Sequence, residues 1–113
     1  MNYELSLKQL IHYEEEIHFH SMDIVIHLSR LLTSDEAAYI TRLVDGWFLV
    51  GMHYGYEGNK LSYRSDIVFE DEQSIYLNVD FGGENVTALN ILLESIYDAL
   101  KMYEVTIEKI ELE

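Results

Sequence analysis

The chain has 113 residues, 49% of them hydrophobic, which excludes a disordered acidic tail and predicts one domain, residues 1–113, around one core. Twenty-one acids against seven bases give a formal net charge of −14, which argues against direct binding to nucleic acid or anionic lipid. There is no cysteine, so disulfides, thiol nucleophiles and cysteine-based zinc sites are excluded, and a reducing cytoplasm is the expected setting.

The N-terminal segment fits two readings. Tyr3, Leu5 and Leu7 alternate as in a strand, whereas Ser6 and Gln9 fit a capping box and Leu7, Leu10, Ile11 and Glu14 fall at helical spacing. The second pattern favours a short helix near residues 6–15. A long strand over 16–29 comes next: Ile17 and Phe19 alternate with His18 and His20, then Met22, Ile24, Ile26 and Leu28 take the other phase. One inserted residue near His20-Ser21, a β-bulge, would keep both apolar sets on one face.

Thr33 and Glu36 form a capping box, and Ala37, Ile40, Leu43, Val44, Trp47 and Phe48 make the buried stripe of the helix that follows. Gly46 weakens this helix, and Gly51, Gly55 and Gly58 are expected to end it. Two strands are predicted next, with Leu61, Tyr63, Ile67 and Phe69 inward on the first and Ile75, Leu77, Val79 and Phe81 on the second. Glu70-Asp71-Glu72-Gln73 is their polar hairpin connection. Asn85 is a plausible cap for a helix striped by Val86, Leu89, Leu92, Leu93, Ile96, Leu100 and Tyr103. A last strand carries Val105, Ile107, Ile110 and Leu112, with a slip of phase.

Strand, helix, strand, strand, helix, strand is the α+β order of a ferredoxin-like split βαβ fold: a four-stranded antiparallel sheet ordered 4-1-3-2, two helices on one face, plus an N-terminal extension. From about Glu16 to Leu112 the layout resembles the YggL-type family of small ribosome-associated bacterial proteins. The likeness lies in the long first strand, the Thr33-Ser34-Asp35-Glu36 helix opening, the glycine-marked helix end around Gly55 and Gly58, and the short last strand. The tryptophan-rich ending of that family is missing. The resemblance implies the fold and, as an alternative function, a ribosome-associated or other housekeeping binding module.

No catalytic signature is present, and neither an enzyme nor a cofactor is expected. Gly55-Tyr56-Glu57-Gly58-Asn59-Lys60 lacks the spacing of a phosphate-binding loop, and neither a nucleophile elbow nor a zincin motif occurs. His18 and His20 point to one side of a strand, and a bulge would bring Asp23 and His27 to the same side. Three imidazoles and a carboxylate could hold a transition metal. A solvent-facing polar side of a sheet with helices on one face is the favoured reading, and no metal is expected.

Charge and aromatics carry the functional expectation. In the proposed topology the first strand begins where the last two finish, gathering Glu14, Glu15, Glu16, Asp80, Glu84, Glu111 and Glu113, with only Lys60 and Lys109 near. The opposite end would hold Glu70, Asp71, Glu72 and Glu104 beside Arg30. Tyr54 and Tyr56 lie in a glycine-spaced turn, suited to protein contact if exposed and to capping the core if not. The expected function is that of an acidic protein inhibitor whose partner is a protein with a basic surface, not nucleic acid and not a membrane.

Overall fold

Strict alternation of apolar and polar side chains builds the middle of the sheet. The computed structural model describes residues 3–13, 16–70 and 73–113. In chain order the elements are β1 (Ile11–His12), β2 (Met22–Leu28), α1 (Ser34–His53), β3 (Tyr63–Arg64), β4 (Val68–Glu70), β5 (Ser74–Asp80), α2 (Val86–Met102) and β6 (Ile107–Leu112). The architecture is α+β, with two helices and one mixed six-stranded sheet ordered β1-β6-β2-β5-β3, β4 pairing the same edge of β5 as β3 does. Among the described strands only β1 runs parallel to its neighbour.

Met22, Ile24, Ile26 and Leu28 of β2 and Ile75, Leu77 and Val79 of β5 are buried, while the residues between them are half-buried. One face therefore meets the helices, and the other faces water, as an antiparallel sheet permits. Ile40, Val44 and Trp47 of α1 and Leu89, Leu92, Leu93, Ile96 and Leu100 of α2 close the core above the first face. Thr33 caps α1 with the complete capping box, and Asn85 caps α2 through the Ala88 amide. The helix does not stop at Gly51. It runs on to His53 because Gly51 is a packing glycine: an added Cβ would lie 2.4 Å from Leu61 Cδ1.

Four expectations need correction. Of the helix expected near residues 6–15, residues 6–13 are not helical, and Glu14 and Glu15 lie outside the described residues. Single-turn bonds join Leu10 to Leu7 and Ile11 to Lys8, and then the Ile110 amide binds the Leu10 carbonyl, so β1 joins the sheet. Leu5, Leu7 and Ile11 are buried, which makes tertiary burial, and not helical periodicity, the source of that pattern. The strand expected over 16–29 starts only at Met22. Ile17 and Phe19 reach the core from an irregular segment closed by a bond from the Ser21 amide to the His18 carbonyl.

The strand expected from Leu61 to Phe69 is two pieces. Arg64 pairs with Val79 and Val68 with Tyr76, so one extra residue sits between β3 and β4. This bulge turns Arg64 to the helix side, where it meets Asp45 and the Phe48 ring, and leaves Tyr63 exposed. The expected four antiparallel strands thus become six in a mixed sheet. The slip of phase in the last strand is real: the register of β6 on β2 shifts between His27 and Leu28.

Candidate interaction surface

The topology carries several chain segments to one end of the molecule. β2 begins where β5 and β6 finish, Met22 lying beside Val79 and Ile24 beside Leu112, while Asp23 and Glu113 bond through their backbones. α1 returns the chain to this end. The loop after it is tied to the loop before α2 by Asn85, whose amide donates to the carbonyls of Tyr56 and Asn59 at 3.2 Å each. Asn90, in the first turns of α2, fastens the N-terminal segment by accepting from the Ser6 amide and donating to the Glu4 carbonyl.

Glu16, Asp80, Glu84 and Glu113 therefore share one end, and Glu16, Glu84 and Glu113 are exposed. Glu14 and Glu15 lie outside the described residues. Asp80 accepts from the Gly82 amide at 2.8 Å, and His20 stands 3.7 Å from it. Lys60 comes to this end as expected, its carbonyl against Gly82. Glu111 does not belong with the rest. It lies on the open sheet face, where His27 and Lys109 hold it at 2.8 and 3.2 Å and keep its carboxyl below the ordinary range.

Tyr3 is the residue that sequence reasoning missed. Burial pushes its phenol up, and the nearby charges of Glu84 and Glu16 push in the same direction. Its ring meets Phe19 edge-on at 5.5 Å, and the contact continues through Phe81 and Trp47 to Tyr56. The acidic end thus contains an aromatic side chain anchored in the core. No local signal marked it, because its importance depends on Phe19 and Phe81, far apart in sequence, meeting beside the sheet.

The two tyrosines of the turn behave differently. Tyr56 folds back, stacks on Trp47 and donates its hydroxyl to the Trp47 carbonyl at 2.8 Å. Tyr54 is 83% exposed.

The open sheet face holds two polar networks. Asp23 accepts from the Tyr76 hydroxyl at 2.6 Å and from the Asn78 amide at 2.9 Å, and that bond pushes the Tyr76 phenol up. His27 bonds Glu111 through Nε2 and stands 3.4 Å from Ser74 Oγ through Nδ1. Serine, histidine and glutamate thus follow the order of nucleophile, base and orienting carboxylate. Ser74, however, is paired with β2 on one side and β4 on the other, so sheet pairing takes up the backbone amides that an oxyanion site would use. His18 and His20 are exposed and lie outside β2, which separates them from Asp23 and His27. Among the described residues no three His, Asp or Glu side chains gather closely enough to hold a metal ion.

At the opposite end Arg30 forms a two-pronged pair with Glu36 and also donates to the Tyr103 carbonyl. Beside it a groove of about 260 Å³ is lined mainly by Leu28, Leu31, Leu32, Ala37 and Phe69. Among the described residues no helix is long and apolar enough to cross a membrane. No protein-family model matches the chain, and no curated protein matches it.

Proposed function

We propose that the protein is a non-enzymatic acidic binding protein that inhibits a target enzyme by occupying a basic, often nucleic-acid-binding, surface. Phage anti-defence proteins, anti-CRISPR proteins among them, and toxin-neutralising immunity proteins work in this way. The observation that carries the reading is the acidic end, which Glu16, Asp80, Glu84 and Glu113 share and where Glu16 and Glu84 stand near an anchored Tyr3. Its weight comes from a magnitude. The surface is 6473 Å², so −14 spread evenly would give an interface patch of ~800 Å² fewer than about two net charges. Mimicry of a phosphate backbone requires acids gathered more densely than that. Tyr54 adds an exposed aromatic, and Glu14 and Glu15 add charge in the adjoining sequence.

The finer fold reading supports the same picture. With β3 and β4 counted as one interrupted strand, we read the order β6-β2-β5-β3 as a ferredoxin-like split βαβ plan to which the N-terminal extension adds β1. That plan sets the start of β2 and the ends of β5 and β6 side by side. The test is affinity capture from the native host with mass spectrometry, followed by competition between this protein and the captured partner's polyanionic ligand. Mutual exclusion is expected. Simultaneous binding of protein and polyanion would overturn the reading.

A further inference from the structure

The outer side of α1 carries an apolar surface that none of the described residues covers. Leu49 and Val50 are 52% and 47% exposed, and Tyr54 extends the face past the helix end. Ala38, Arg42, Gly46 and His53, all exposed, lie on or beside this face at helical spacing. Gly46 has no reason within the fold. Glycine is among the least favourable residues for a helix interior, and a Cβ added at Gly46 would meet nothing within 4 Å.

The charge of this face decides its occupant. Between Ala37 and Tyr56 the only acid is Asp45, and Arg64 neutralises it. In a chain of −14, a second copy meets little repulsion along this stretch, the exposed Asp35 and Glu57 lying at its two ends. The face is also self-complementary. In an antiparallel pair centred on Gly46, the small Ala38 of one copy comes level with the large Tyr54 of the other, and the aliphatic stem of Arg42 with Val50. Bare backbone at Gly46 lets two helices approach closely. We propose that this face is a self-association surface, on which two copies pair through antiparallel α1 helices crossing at Gly46. The twenty residues of α1 are about 30 Å long, which limits such a contact to the low end of specific interfaces, near 1,000 Å² in all. The dimer is therefore weak, and it tightens as salt screens the repulsion between two acidic chains.

Sedimentation velocity from low-micromolar to millimolar protein, at low and high salt, tests this. The wild type is expected to form a reversible dimer favoured by high salt. Gly46→Leu should remain monomeric throughout. Gly46→Ala should raise the melting temperature of the dilute protein yet weaken the dimer by about tenfold. Tyr63→Lys, on the open sheet face, should leave the dimer intact. If circular dichroism shows Gly46→Leu to be unfolded, Leu49→Lys takes its place. A monomer at every concentration, a dimer indifferent to Gly46→Leu or Leu49→Lys, one lost with Tyr63→Lys, or larger oligomers dispersed by salt would overturn the proposal.

Discussion

Glu36 is a buried carboxylate whose partners make burial tolerable. Arg30 donates to both of its oxygens, at 2.8 and 2.9 Å, and the Thr33 amide donates at 2.9 Å. These bonds hold its carboxyl at about 2, below the ordinary 4.5. A depressed folded value means that folding favours the ionised form. The stabilisation is full above pH 4.5 and is lost as pH falls towards about 2. Glu36→Gln should therefore lower the melting temperature at neutral pH, and the deficit should close as pH falls through that window. A deficit of equal size at both extremes would place the effect in shape and not in charge. The sequence made the Thr33–Glu36 box legible, since it depends on spacing within one turn. Arg30 was out of reach as a partner, because it meets Glu36 only after the chain reverses before α1. Trp47 teaches the same lesson from the core. Its place in a buried stripe followed from periodicity, but its bond from Nε1 to the Ala88 carbonyl at 3.0 Å depends on how α1 and α2 pack. Trp47→Phe loses that bond and leaves space beside Phe81 and Tyr56, which should destabilise the protein by about 2 kcal/mol in urea unfolding.

Elements differed in how plainly the sequence announced them. Both helices were legible with their caps, because a capping residue and a 3.6-residue stripe are local signals. β5 was legible for the same reason, its alternation being unbroken. The edges were not. β1 holds only two residues and exists because β6 offers it a partner, so its sequence looked as much like a helix as a strand. The break between β3 and β4 was hidden because Leu61, Tyr63, Ile67 and Phe69 keep to odd positions, with only Ser65 between them, while the backbone inserts a residue. Ser65 manages that insertion. Its amide donates to the Asn78 carbonyl at 2.9 Å, and its hydroxyl accepts from the Asn78 amide at 2.8 Å in place of a backbone carbonyl. Ser65→Ala should leave the Asn78 amide without that partner, cost about 1 kcal/mol or more, and speed its hydrogen exchange. Ser65→Thr keeps the hydroxyl and should restore protection. Unchanged exchange in the alanine variant would show that water or a shifted backbone replaces the serine.

At the scale of the whole molecule, the gathering of acids at one end was legible from strand directions alone, since antiparallel neighbours must start and finish together. What the sequence withheld was which acids are engaged among the described residues. Glu111 is engaged on the sheet face and Asp80 closes a turn, whereas Glu16 and Glu84 stand near Tyr3. This difference fixes the form of the binding experiment. Exposed charges at the rim of a contact act mainly on encounter, and salt screens them over a Debye length of ~8 Å at physiological ionic strength. Association with the captured partner should therefore slow as salt rises. Glu16→Lys with Glu84→Lys should lower the association rate and flatten its salt dependence. The anchored ring acts differently. Once seated against a partner, Tyr3 resists withdrawal because Phe19 and Phe81 support it, so Tyr3→Ala should mainly raise the dissociation rate and cost about 2 kcal/mol of binding. Net charge must be separated from its placement. Glu94→Lys with Asp98→Lys makes the same change in total charge on the exposed side of α2, whose course leads away from this end. If the acidic end is the contact, surface plasmon resonance should show the first pair slowing association far more than the second. Equal effects of the two pairs would mean that the partner senses only the overall −14, and the contact would then have to be sought on another surface.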